Sequence, residues 1–160
     1  MSASKRSPKI VRDVLLHLNT LCDTGFAVAV HIRYTRPSLL YQTYSQKWSD
    51  HYSEMGFMMV DPVVHWGLAH DGLIRWDDLK DQDTSGVLVS ALEHGLENGW
   101  TYSVGVPESR TIVGLTKSGV PFTPEQISHV IELIDSLHEA TVGIDSFSPE
   151  SMQQLREISF

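Results

Sequence analysis

Cys22 is the only cysteine in 160 residues, which excludes an intramolecular disulfide and any cysteine-based zinc site. Basic residues are also scarce, with 12 Lys and Arg against 20 Asp and Glu and a formal charge of −8. The acidic stretch Asp77-Asp78-Leu79-Lys80-Asp81-Gln82-Asp83 has no basic counterpart of similar density, so the chain is a poor candidate for gripping a polyphosphate backbone. No apolar run approaches the ~20 residues that span a bilayer. The N-terminal MSASKRSPKIVRDVLLHL lacks the apolar core and cleavage pattern of a secretion signal. These absences lead to the expectation of a cytoplasmic protein with no membrane contact. Signatures of catalysis are missing too. There is no HExxH, no carboxylate–His set at metal-ligand spacing, no GxSxG elbow around Ser103 and no phosphate-binding glycine loop. Neither an enzyme nor a bound cofactor or metal is expected.

What is present is the patterning of one domain large enough to bury a core unaided. Ile10, Val11, Val14, Leu15, Leu18 and Leu21 share a helical face, which predicts a helix over 8–22. In 26–35 (FAVAVHIRYT) the period is two, so Phe26, Val28, Val30, Ile32 and Tyr34 should face one way on a strand. A second strand over 39–44 runs into a helix over 46–55, and Asp61-Pro62 opens another over 62–70. A short extended piece at 74–77 follows, then a helix over 85–98 ending at Asn98-Gly99. Residues 100–107 and 110–117 read as a hairpin. Thr123, Pro124 and Gln126 spell a capping box, and Ile127, Val130, Ile131, Ile134 and Leu137 form the stripe of the helix it starts. That stripe is read as core in preference to a dimer surface. Ser148-Pro149 repeats the cap-plus-Pro pattern ahead of Met152, Leu155 and Ile158. The expectation is an α+β domain, a three-layer α-β-α sandwich around a central, mainly antiparallel sheet of five to six strands.

Residues 44–63, YSQKWSDHYSEMGFMMVDPV, hold the candidate site. Trp48 and Tyr52 lie on one helical face, with Tyr44 at its start. Spacing alone favours plain core packing. Yet each of these rings carries a polar tip that wants a partner when buried, and three tips near one carboxylate make a cavity that is apolar except at one end a second reading. Asp61 sits within an apolar run, and an ionised carboxylate buried without partners is costly. It serves as a helix N-cap on one reading. On the other, one oxygen caps while the second accepts an N–H from a ligand.

The pattern Y-x3-W-x3-Y-x8-D-P-V, followed by Ile74-Arg75-Trp76-Asp77-Asp78-Leu79, resembles the ligand-binding domain of LuxR-type quorum-sensing transcriptional regulators over about residues 8–143. The resemblance implies a site for an N-acyl-homoserine lactone between sheet and helices. Trp48 is similar to the family Trp whose indole N–H meets the lactone carbonyl, and Asp61 to the Asp that accepts the ligand's amide N–H. Tyr44 resembles the Tyr that donates to the amide carbonyl. Tyr52, Val63 and Trp76 would wall the head group and acyl region, and Thr116 would meet a polar group on the acyl chain. Trp100 and Ser103 depart from the pattern, and either is expected to narrow the cavity and alter chain-length preference or to make the domain respond to something else.

The resemblance divides the chain into an autoinducer-binding domain, 1–143, and a segment, 144–160, expected as a linker and the opening of a truncated or absent helix-turn-helix domain. No DNA binding by this chain alone is expected, and a homodimer is. The alternative is a short homologue with a closed pocket that forms heterodimers with a full-length regulator and inhibits it.

Overall fold

The alternating segments become a five-stranded sheet and the 3.6-period segments pack on its two faces. The computed structural model describes residues 3–160. In order these are α1 (Ala3–Leu21), β1 (Gly25–Arg33), β2 (Arg36–Gln42), α2 (Gln46–Glu54), α3 (Pro62–Ala69), β3 (Gly72–Arg75), α4 (Val87–Glu93), β4 (Trp100–Val104), β5 (Arg110–Thr116), α5 (Pro124–Ala140) and α6 (Pro149–Arg156), with 3-10 turns at Phe57–Met59, Trp76–Gln82 and Ile144–Ser146. The strand order is β2-β1-β5-β4-β3, and every pairing is antiparallel.

One face carries the main core. Phe26, Val28 and Val30 of β1 and Val113 and Leu115 of β5 are buried under Val11, Val14, Leu15 and Leu18 of α1 and the α5 stripe. The capping box forms as spelled, with Thr123 accepting from the Gln126 N–H and Gln126 reaching back to the Thr123 N–H. Leu133 joins the buried stripe, whereas Ile131 is only partly buried. Residues 144–160 also rest on this face. Leu155 is fully buried in the same core, Phe160 stacks on Phe26 at 5.8 Å, and the Tyr41 hydroxyl donates to the Leu155 carbonyl at 2.7 Å. Burial raises the Cys22 thiol to about 12, which leaves it unreactive.

The other face carries α2 and α3, and α4 joins them through a smaller cluster of Trp48, Phe57, Val87, Ala91 and Leu96. Two expected features change here. The alternation of β1 breaks at His31, whose φ is 45°. The β1–β5 register shifts between Ala29 and Ile32, and the His31 N–H turns to the Thr111 hydroxyl. This bulge moves Ile32 off the face of Val30 and onto the face of Ala27 and Ala29, while Tyr34, 96% exposed, stands in the turn. The helix expected over 85–98 ends at Glu93, because Gly95 at φ 81° supplies a left-handed stop ahead of Asn98-Gly99. Its start is fixed by Asp83, whose carboxylate accepts the Val87 and Leu88 N–H groups. In the other direction, α1 starts at Ala3 and carries Pro8 inside it.

Candidate functional site

Between the second face and α2–α3 lies a cavity of ≈ 480 Å³, within the size range of small-molecule sites. Its floor is made by residues with little side chain to fill it: Ala27, Ala29 and Gly114, with Ile32, Leu40 and Ile112 around them. Its roof is Trp48, Ser49, Tyr52 and Ser53 of α2, Met58, and Val63, Val64 and Leu68 of α3. The lining is mostly apolar.

The polar groups gather around α2 and the start of α3. Ser45 caps α2 by accepting the Trp48 N–H at 3.2 Å. This holds Trp48, 5% exposed, edge-on to Tyr52 at 5.7 Å and tilted against His94 at 5.1 Å and Phe57 at 6.2 Å. The Trp48 ring lines the cavity, and no hydrogen bond occupies its indole N–H among the described residues. Asp61, 7% exposed, is held at both oxygens: Oδ1 accepts the Val63 N–H at 2.8 Å and caps α3, and Oδ2 accepts the Tyr52 hydroxyl at 2.7 Å. Burial raises its pKa above the ordinary carboxylate value, and the Tyr52 hydroxyl and the Val63 and Val64 N–H groups pull it back. Burial and the nearby Asp61 both hold the Tyr52 and Tyr44 phenols protonated. Tyr44 donates to the Gly114 carbonyl at 3.2 Å, a long O–H···O bond.

Tyr44, Trp48, Tyr52 and Val63 thus line one cavity, with Asp61 directly behind Tyr52. The remaining expected site residues are placed otherwise. Trp76 lies beside the cavity, its ring 3.6 Å from where a Cβ on Gly114 would stand. Its indole N–H is used by the Thr101 hydroxyl at 2.9 Å. Ser103 is buried under α3 and donates to the Gly67 carbonyl at 2.8 Å. Thr116 is buried at the end of β5, donating to the Gly25 carbonyl at 3.0 Å and accepting from Thr24. None of these three lines the cavity. Trp100 cannot narrow it either: β4 directs Thr101 and Ser103 to the cavity face, so Trp100 packs against the opposite core. Sequence reasoning missed the floor. The signal was in FAVAVHI, where small Ala27 and Ala29 alternate with Phe26, Val28 and Val30.

Elsewhere, His31 and His138 stack at 4.3 Å beside a smaller cavity of ≈ 340 Å³. The His31 ring is bonded to the Ser109 hydroxyl and the His138 carbonyl, and Thr111 meets His138 Nδ1 at 2.7 Å. Burial lowers both imidazole pKa values. No group of three or more His, Cys, Asp or Glu among the described residues is arranged to hold a metal. No helix among them is long and apolar enough to cross a membrane.

The chain is similar to known proteins. The family model for the autoinducer binding domain matches residues 22–141. The transcriptional activator protein VanR of Vibrio anguillarum is 32% identical over 72 residues, 44% of this chain and 30% of VanR. Among solved structures, SdiA in complex with octanoyl-rac-glycerol superposes with a TM-score of 0.65 at 18% identity, covering 100% of this chain and 64% of SdiA. The N-acylhomoserine lactone dependent LuxR family factor CepR2 from Burkholderia cenocepacia superposes with a TM-score of 0.58 at 14% identity, covering 93% of this chain and 99% of CepR2. At these identities the two structures speak for the fold. The chain spans less than a third of VanR and less than two thirds of SdiA. The match to the family model covers most of the chain, and its subject is a ligand-sensing module of transcriptional regulators rather than an enzyme: the chain belongs to the autoinducer-binding domain family of LuxR-type quorum-sensing regulators.

Proposed function

We propose that the cavity binds an N-acyl-homoserine lactone and that the domain senses it on behalf of a cytoplasmic, dimeric regulator. The observation that carries this reading is the unoccupied indole N–H of Trp48 on the cavity wall, next to the Tyr52–Asp61 pair. An acyl amide offers one donor and one acceptor, and a lactone ring adds an acceptor. Ionised Asp61 has only acceptor sites, and Oδ2 has room for a second donor beside the Tyr52 hydroxyl. Trp48 supplies a donor for the lactone carbonyl. Tyr44 can turn its hydroxyl from its long bond with Gly114 to the amide carbonyl. Val63 contributes an apolar side chain, since its N–H is held by Asp61. Trp76, Ser103 and Thr116 support the walls without touching the ligand.

The alternative, a short homologue with a closed pocket that pairs with a full-length regulator, rests on Trp100 and on the expected absence of a helix-turn-helix domain. Trp100 packs on the far side of the sheet, so it does not close the pocket. Thermal unfolding with and without lactones tests the reading. A ligand at 100 times its dissociation constant stabilises by about 2.7 kcal/mol. A monoacylglycerol of equal chain length is the head-group control, prompted by the ligand bound to SdiA. No shift with any lactone, together with no acyl compound co-purifying by mass spectrometry, overturns the reading.

A further inference from the structure

Towards β5 and α3 the cavity is lined by buried or half-buried residues, Ile112, Val63, Val64 and Leu68, but towards β2 it is lined mainly by exposed ones. That strand is the edge of the sheet, and no further strand covers it among the described residues. Leu40 and Met58 both line the cavity and yet are 55% and 47% exposed. Thr35, Gln42 and Ser53, which line the same side, are exposed as well. The cavity therefore meets the surface as a slot between β2 and the α2–Met58 segment. Its lip is mixed, apolar at Leu40 and Met58 and polar at Thr35, Gln42 and Ser53, and Met55 and Met59, on either side of Met58 in sequence, are 57% and 79% exposed. Flexible thioethers suit a partner without fixed shape.

The length of the floor sets what fits inside. From Ala27 to Ile32, across the bulge at His31, the strand advances roughly 15 Å. An extended acyl chain advances about 1.25 Å per carbon, given ~1.52 Å bonds at near-tetrahedral angles, so about twelve carbons fill that length. A longer chain meets Thr35 and the Leu40–Met58 lip, where there is no blocking wall.

We infer that the acyl end of this site is open, and that it takes long unbranched acyl chains of twelve carbons or more, whose terminal carbons leave through the slot over Leu40 and Met58. This rests on reading the cavity as an acyl-ligand site. A blind cavity would hold a short chain and reject a long one by overpacking. An open one gains about fourfold in affinity for each CH2 that stays inside and then levels off.

The test is a set of dissociation constants for two ligand series, N-acyl-homoserine lactones and 1-monoacylglycerols, with chains of six to sixteen carbons. The expected profile rises to about twelve carbons and stays flat within threefold to sixteen. A fall of tenfold or more between eight and fourteen carbons overturns the open end. If the glycerol series binds as well as the lactones, the lactone reading fails while the profile still reports on the acyl end. If neither series binds, both fail. Leu40→Glu and Met58→Glu, checked for unchanged unfolding without ligand, should each lower the affinity ratio of the fourteen- to the eight-carbon lactone at least tenfold. An unchanged ratio combined with a changed oligomeric state would make the lip a contact between copies, and the inference falls.

Discussion

The Tyr52 hydroxyl donates to Oδ2 of Asp61 at 2.7 Å while Oδ1 of the same carboxylate caps α3 through the Val63 N–H at 2.8 Å. One side chain thus joins the roof helix α2 to the start of α3. Asp61→Ala removes a cap, costing about 1 kcal/mol, and leaves a half-buried hydroxyl unpaired, costing about 1–3 kcal/mol more. Urea unfolding should show a total loss of about 2–4 kcal/mol. Asp61→Asn keeps an oxygen for the cap, so it should lose less stability than Asp61→Ala. In titration calorimetry it should still weaken lactone binding, because it has fewer acceptor sites.

Trp48→Phe keeps a ring against Tyr52 and Phe57 but removes the one indole donor on the cavity wall. Lactone binding should weaken by about 0.5–1.5 kcal/mol, measured by titration calorimetry. The unliganded unfolding midpoint should move far less than for Asp61→Ala.

The Trp76 ring lies directly over Gly99. A Cβ there would stand 2.1 Å from the ring's Cδ2. Gly99→Ala must displace Trp76 from its bond with Thr101, at an overpacking cost of about 1–3 kcal/mol. The expected readouts are a lower unfolding midpoint and a changed tryptophan emission spectrum.

The stacked His31 and His138 should make stability fall in mild acid. Burial lowers both folded-state values below the ordinary ~6.5. Below that pH the unfolded chain binds more protons than the folded one, so stability is lost as pH drops from about 7 towards the folded values. Asp61 acts with the opposite sign, since burial raises its pKa and protonation favours the fold. His138→Gln, which keeps a partner for Thr111, should flatten the decline in urea unfolding between about pH 7 and 5.

Trp100→Phe should leave lactone affinity within about twofold while lowering stability by about 1 kcal/mol, the lower end of a modest core truncation. This separates a wall of the cavity from a packing residue on the reverse face.

The 44–63 segment was legible because its parts are local. Helical spacing, the Asp61 cap and the Pro62 start all act within a few residues. The Thr123–Gln126 box was legible for the same reason. What stayed hidden depends on partners distant in sequence. Whether Trp100 or Thr101 meets the cavity is decided by the register of β4 against β5, and a strand's faces exchange with a shift of one residue. The bulge at His31 rests on the Thr111 hydroxyl, 80 positions away, so a strict period of two misplaced Ile32. Ser103 and Thr116 do belong to the cavity-side layer, but Gly67 and Gly25 had claimed their hydroxyls. No local pattern announces that.

Strand β2 is a partition one residue thick. Leu40 belongs to the cavity, and its neighbour Tyr41 holds the Leu155 carbonyl and meets Phe160 edge-on at 6.1 Å. The compartment for small molecules and the seat of α6 are therefore two sides of a single sheet of backbone. Removing residues 149–160 would strip the insulation from the outside of the cavity's own wall.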